Sequence, residues 1–289
     1  LQFSFCLIGF GGGVLNGGTN ALAADITQAG KGAALSLLGV FYGIGALAMP
    51  LLIGILTRII SYETLISIIG VLVLIPLVFF MLVKFPEPKQ KQGMPLTKAF
   101  SLLKEPLLIL LGSILFFESA LEGIVGNWTT TYLKSVGLSA QHALYALSVH
   151  VAAIVVMRLL LSGLLKKITS RIVMYVSFVL ILAGSLILTF TTSFSLAMLA
   201  MLSLGGGFAA GFPVILGYVG ELYPKLSGTA FSIVMVLALI GNASLNYLMG
   251  LMSKAVGIHS FPGYLMACLV FMVFLFSIVR KKISTRIKV

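Results

Sequence analysis

Long apolar runs alternate along the chain with short stretches that hold its charges and turn residues. Nine runs stand out, at 3–24, 34–57, 64–83, 106–133, 142–165, 172–190, 195–222, 229–252 and 264–279. A transmembrane α-helix takes about 20 apolar residues, so each run predicts one span. Glycine and proline recur inside them, which membrane helices tolerate better than soluble ones. The longest polar interruption, 84–105, contains KFPEPKQKQGMP. Its prolines and lysines predict a linker between two groups of helices.

Composition agrees. The chain is 60% hydrophobic and 9% charged, against about 25% charged for a soluble domain. A soluble globular enzyme, a disordered tail and a nucleic-acid reader are excluded together. The net charge of +12 marks topology instead. Lys31, Lys84, Lys89, Lys91, Lys98, Lys104, Lys166, Lys167, Arg171, Lys225, Arg280, Lys281, Lys282, Arg286 and Lys288 fall on one side of the alternating spans. Only Arg58, Lys134 and Lys254 fall on the other, and Arg158 lies inside a span. The lysine and arginine excess places the linker and the C-terminus in the cytoplasm, in a multi-pass protein of the cell (inner) membrane. Cys6 and Cys268 both lie in apolar runs, and His142, His150 and His259 are scattered. No metal site, cofactor or nucleotide motif is expected.

The sequence also repeats. Laid over itself, segment 9–54 matches segment 205–250 without a gap. Gly9, Gly11, Gly32, Gly45 and Gly54 fall on Gly205, Gly207, Gly228, Gly241 and Gly250. Ala34, Ser36, Val40, Ile44 and Leu52 fall on Ala230, Ser232, Val236, Ile240 and Leu248, and Asp25 falls on Glu221. Parallel repeats of this kind characterise transporters whose halves are related by an axis along the membrane normal. The second unit holds six spans from 106 onward. Its counterpart would start about 90 residues before Leu1, so the repeat predicts three further spans there and two sets of six in all. The expected domains are 1–83, the last three helices of a first six-helix bundle; 84–105, a cytoplasmic linker; and 106–289, a second six-helix bundle.

Four segments carry a family resemblance. LSLLGVFYGIGALAMP (35–50), EGIVGNWTTTYL (122–133), MRLLLSGLLKK (157–167) and GELYPKLSGTAFS (220–232) are similar, in order and helix placement, to motifs of the fucose permease-like sugar transporters. The chain resembles spans 4–12 of that group within the major facilitator superfamily (MFS). The resemblance implies an all-α membrane fold with nine of twelve helices present. It also implies a monomer when complete. Its fifth-span Asn and His are Ser36 and Val40 here, and the acid of the superfamily's cytoplasmic loop motif is replaced by Lys167.

Several residues could carry chemistry. Glu118 and Glu122 lie four apart on one face of the span 106–133. Acids inside a membrane are costly and mark function by default, and two ionised acids one turn apart repel, an arrangement suited to proton coupling. Arg158, about 12 Å up its helix from Lys166, is either a counter-charge to these acids or a snorkelling cation. Asn16 and Asn20 form an i, i+4 pair whose amides offer the donors and acceptors that sugar hydroxyls require. Asn127 and Trp128 could add an amide and a stacking face. The Asn242 and Asn246 pair is read as interhelical packing. Asp25, Glu221 and Arg171 sit at cytoplasmic helix ends, where ion pairs could form an inner gate. The expected function is secondary active, proton-coupled transport of a small polar solute, most simply a sugar, by alternating access. A drug or metabolite exporter of the same superfamily, a non-transporting membrane receptor, and an inactive truncated product are the alternatives.

Overall fold

The computed structural model describes residues 2–28, 30–56, 59–85 and 101–287. Ten α-helices lie wholly within these residues, Ser101 and Leu102 are helical as well, and none of the described residues lies in a strand. The expected linker falls largely outside the described residues. The helices are α1 (Gln2–Ile26), α2 (Lys31–Leu56), α3 (Tyr62–Leu82), α4 (Pro106–Ser135), α5 (Ala140–Leu164), α6 (Ser170–Thr189), α7 (Phe194–Phe208), α8 (Gly211–Leu222), α9 (Ser227–Val256) and α10 (Phe261–Ile287). Among the described residues, seven helical segments are long and apolar enough to cross a membrane. The remaining two expected spans correspond to α1 and α2, of 25 and 26 residues.

Local chemistry sets the helix boundaries. Ser61, Ser139 and Ser193 are N-caps whose hydroxyls accept from the backbone N–H of Thr64, His142 and Leu196, satisfying donors the helix cannot. Pro106 opens α4 at a position where a missing N–H costs nothing. Gly137 and Gly257, at φ 95° and 97°, follow the two 30-residue helices α4 and α9. The left-handed backbone there ends each helix cheaply only in glycine. Within the helices, serine and threonine hydroxyls turn back onto their own carbonyls, as Thr19 does to Leu15 at 2.6 Å and Ser185 to Ile181 at 2.8 Å. No hydroxyl in such a pair asks the membrane for a partner.

The span predicted at 195–222 is one crossing made of two helices. Residues Ala209 and Ala210 form a turn between α7 and α8. Pro213 explains the break. It has no N–H for the carbonyl of Ala209, four residues earlier, and its ring would collide with that carbonyl in a continuous helix.

The repeat is visible in the helix ends. α1 stops at Ile26 and α8 at Leu222, while α2 starts at Lys31 and α9 at Ser227. The same register that pairs Asp25 with Glu221 therefore pairs both boundaries.

In the second half α4 is central, packed on α9 and α10 and touching α5 and α8; α7 lies between α5 and α6. Leu108, Leu111, Ile114, Leu115, Leu121 and Ile124 of α4 are fully buried. In the first half α1 packs on α2, whereas α3 exposes a continuous apolar surface from Val71 to Val83. The halves meet where α2 crosses α5 and α8 and where α1 crosses α9. Small residues allow this approach, since packing drives association in lipid. A Cβ on Gly217 would stand 3.1 Å from Gly32 Cα. Phe3, Leu7 and Phe10 of α1 and Ile44, Met49 and Leu52 of α2 are exposed.

Candidate functional site

A cavity of about 810 Å³ lies between the two halves, within the range of small-molecule sites. α1 contributes Gly12, Leu15, Asn16, Thr19 and Asn20 to its wall, and α2 contributes Leu35, Leu38, Gly39, Phe41 and Tyr42. The facing wall carries Ser119, Glu122 and Gly123 of α4, Arg158 of α5, Phe212, Pro213 and Leu216 of α8, and Met235, Ala238, Leu239 and Asn242 of α9. Amides and hydroxyls thus share the site with aromatic faces and one charged pair.

That pair is Arg158 and Glu122. Arg158 Nη2 lies 3.8 Å from Glu122 Oε2, with Arg158 buried and Glu122 28% exposed. At this distance the charges attract without a hydrogen bond. Arg158 Nε is buried beside Gly39 with no hydrogen-bond partner among the described residues. Its position is fixed from α2. Ser36 Oγ donates to the Arg158 carbonyl at 2.6 Å, and Gly39 lets the side chain pass, since a Cβ there would be 2.9 Å from Arg158 Cδ. Opposite, Asn20 Nδ2 donates to Asn16 Oδ1 at 2.7 Å and to the Asn16 carbonyl at 2.8 Å. The two amides therefore present themselves as one unit on α1.

Glu118 lies one turn from Glu122 but off the cavity. It is 1% exposed, and its carboxyl rests on the α-carbon of Gly211, where α8 begins. Its Oε1 has no partner among the described residues. Asn127 and Trp128 also lie off the cavity wall, in the seam between α4 and α9. Asn127 Nδ2 donates to Asn246 Oδ1 at 3.1 Å, and Trp128 covers Gly250, whose Cβ would be 3.5 Å from the indole.

The cavity floor is the closed end of the molecule. Ser227 Oγ donates to Asp25 Oδ2 at 2.9 Å, joining α9 to α1. Lys31 Nζ donates to the Gly220 carbonyl at 2.6 Å, joining α2 to α8 beside Glu221. Asp25 and Glu221 are equivalent in the repeat, as are Ser227 and Lys31, although Ser227 bonds the Asp25 carboxylate and Lys31 the carbonyl of Gly220, the residue before Glu221. Arg171 is exposed at the start of α6, within electrostatic reach of Tyr218 together with Glu221.

Comparison with known proteins decides the family. The model of the Major Facilitator Superfamily matches residues 1–243. The chain belongs to the Major Facilitator Superfamily. Among solved structures it is similar to an MFS transporter, FucP, in the outward conformation, with 17% identity and a TM-score of 0.69 over 89% of this chain and 71% of that one. It is also similar to a single-residue variant of the E. coli fucose:proton symporter FucP, with 17% identity and a TM-score of 0.74 over 92% of this chain and 73% of that one. No curated protein matches it. At this identity the likeness is one of fold.

Sequence reasoning put Asn16, Asn20, Glu122 and Arg158 forward, and the fold brings them to one cavity. It did not single out Ser119, Phe41, Tyr42, Phe212 or Met235, and it assigned Asn242 to packing. The available signal was register. Ser119, Glu122 and Gly123 lie on the same face of α4, and the amide of Asn242 approaches α4 because Gly123 has no side chain.

Proposed function

We propose that this protein is a secondary active transporter of a small neutral polar solute, a sugar, driven by protons through alternating access. The observation that carries the reading is the cavity itself. It lies between two repeat-related halves, is closed at one end by polar contacts, and holds amides on one wall and a loosely held Arg158–Glu122 pair on the other. Binding near the junction of the halves, with the halves rocking about it, is the geometry alternating access requires.

In this reading Asn16 and Asn20 bind solute hydroxyls. Glu122 takes up the proton. When it is neutral, its attraction for Arg158 is lost and α4 is released from α5. Glu118 is the second acid of the pair, sheltered behind it. Asp25, Lys31, Ser227 and Glu221 form the gate that must part when the molecule turns over, with Arg171 adding positive charge at its rim. The excess of lysine and arginine at this end supports a cytoplasmic gate and C-terminus. The working unit is a monomer in the cell membrane.

The test is uptake of labelled neutral hexoses and 6-deoxyhexoses into proteoliposomes, with and without an inward proton gradient. Gradient-driven accumulation by wild type is the expected result. Glu122→Gln is expected to abolish accumulation while retaining solute exchange between the two faces. Accumulation at the wild-type level by that variant overturns the proton role. Phe41, Tyr42 and Phe212 also give the cavity aromatic surface. Movement of lipophilic cations with no sugar uptake would make the exporter reading the correct one.

A further inference from the structure

A chain of side-chain amides runs along the α4–α9 seam and ends at the cavity. Asn127 Nδ2 donates to Asn246 Oδ1 at 3.1 Å. Asn246 Nδ2 donates to Asn242 Oδ1 at 3.0 Å and to the Asn242 carbonyl at 2.9 Å. Asn242 Nδ2 donates to the Ser119 carbonyl at 3.0 Å and lies 3.4 Å from Ser119 Oγ. Every donor points the same way along the seam, from Asn127 toward the cavity, so each bond polarises the next.

Gly123 completes the arrangement. A Cβ at this position would stand 2.6 Å from Asn242 Nδ2 and 2.8 Å from its Oδ1. The bare backbone therefore lets the carboxamide lie against α4. Asn242 is thus held by Ser119 on one side, Asn246 on another and Gly123 beneath.

Packing alone does not account for its place on the cavity wall. An amide has two N–H donors and two acceptor lone pairs. Asn246 occupies one lone pair of Asn242 Oδ1, and the contacts at Ser119 engage its Nδ2. A second lone pair remains on an oxygen whose orientation is already fixed. A solute hydroxyl can donate to that oxygen without the side chain losing rotamer freedom on binding, which is the usual cost of recruiting a mobile amide.

We infer that Asn242 is a solute-reading residue of this cavity, specific for a hydroxyl, and that Asn246 and Asn127 are positioning residues that hold it. The inference rests on the transport reading and adds a third amide to the site, across the cavity from Asn16 and Asn20. Asn127 acts through Asn246 and not by touching the solute.

Two measurements test it. The first needs no ligand. Apparent Tm is recorded in detergent for wild type, Asn127→Ala, Asn242→Ala and the double variant. A continuous chain makes the two shifts non-additive although the residues do not touch. Additive shifts overturn the positioning role. The second is hexose uptake in proteoliposomes. Asn242→Ala, Asn246→Ala and Asn127→Ala are each expected to raise KM about threefold to tenfold with kcat within about twofold of wild type, as when a binding contact alone is lost. An unchanged KM in Asn242→Ala overturns the solute role. An unchanged KM in the other two overturns the positioning role. Gly123→Ala, which displaces the same amide without deleting it, should raise KM likewise, and a KM at the wild-type value in that variant also counts against the inference. If wild type takes up no hexose, it is the sugar-transport reading that fails and the hydroxyl role fails with it, while the first measurement alone decides the chain of amides.

Discussion

Ser36 of α2 donates its hydroxyl to the backbone carbonyl of Arg158 in α5 at 2.6 Å, linking the two halves of the molecule at the residue that also carries the cavity's positive charge. Both partners are buried. Removing the hydroxyl leaves the carbonyl with only its helical bond, at a cost of about 1 kcal/mol. For Ser36→Ala the expected fall in apparent Tm is about 2–4 °C, with the Arg158 side chain left in place and solute KM little changed. A fall in Tm of zero would show that the bond carries no part of the contact between the halves.

Two glycines on the same face of α2 should behave differently when given a methyl group. At Gly39 the methyl would meet Arg158 Cδ at 2.9 Å and its Nη1 at 3.2 Å. A long side chain can move aside, and moving it draws the guanidinium away from Glu122. At Gly43 the methyl would run into Val155 Cγ2, on a β-branched side chain with little rotamer freedom. Gly39→Ala is therefore expected to cut uptake about tenfold or more with little change in Tm. Gly43→Ala should cost about 1–3 kcal/mol of stability through overpacking. Equal Tm losses in the two variants would contradict this distinction.

The closed end predicts a change in accessibility. Ala24 is fully buried and packs against Gly220, next to the Asp25–Ser227 and Lys31–Gly220 contacts. In a background lacking Cys6 and Cys268, Ala24→Cys should react poorly with a water-soluble maleimide. Single hydrogen bonds at a half-buried end are weak restraints. Asp25→Ala or Lys31→Ala alone should raise the labelling rate about twofold to fivefold, and the two together by more. Fast labelling without either change would mean that this end is not closed in the membrane.

Much of this architecture could be read in advance from hydrophobicity, because a span must hide its backbone within itself and so announces its own length. The repeat could be read as well, and its register extends to the helix ends at Ile26 and Leu222. The break at Ala209–Ala210 was hidden inside one apolar run, although Pro213 four residues on was its cause. For the site, each helix announced which of its residues share a face but not which helix that face meets. Glu118 and Glu122 share a face in sequence, yet one is sealed against Gly211 and the other borders the cavity. Asn127 and Trp128, near one end of a span, gave no sign that the seam with α9 would take them. What decides their place is the spacing of α4 and α9, set by glycines such as Gly241, whose α-carbon lies against the Phe116 carbonyl.

The same contact between Glu118 and Gly211 makes a compensation test. A methyl group on Gly211 would occupy the space of the Glu118 carboxyl, and Glu118, at 1% exposed, has no room to withdraw. Gly211→Ala alone should therefore destabilise by about 1–3 kcal/mol or more. Glu118→Ala alone empties the same space and should cost about 2–4 kcal/mol by leaving a void. In the double variant the new methyl partly fills that void, so the loss should be smaller than the sum of the two by at least about 1 kcal/mol. Uptake separates packing from chemistry. If Glu118 serves only to fill space, the double variant recovers proton-driven accumulation along with its Tm. If the carboxyl takes part in proton coupling, stability returns and accumulation does not. A double variant as unstable as the two losses combined would show that the carboxyl does not rest on Gly211 in the membrane.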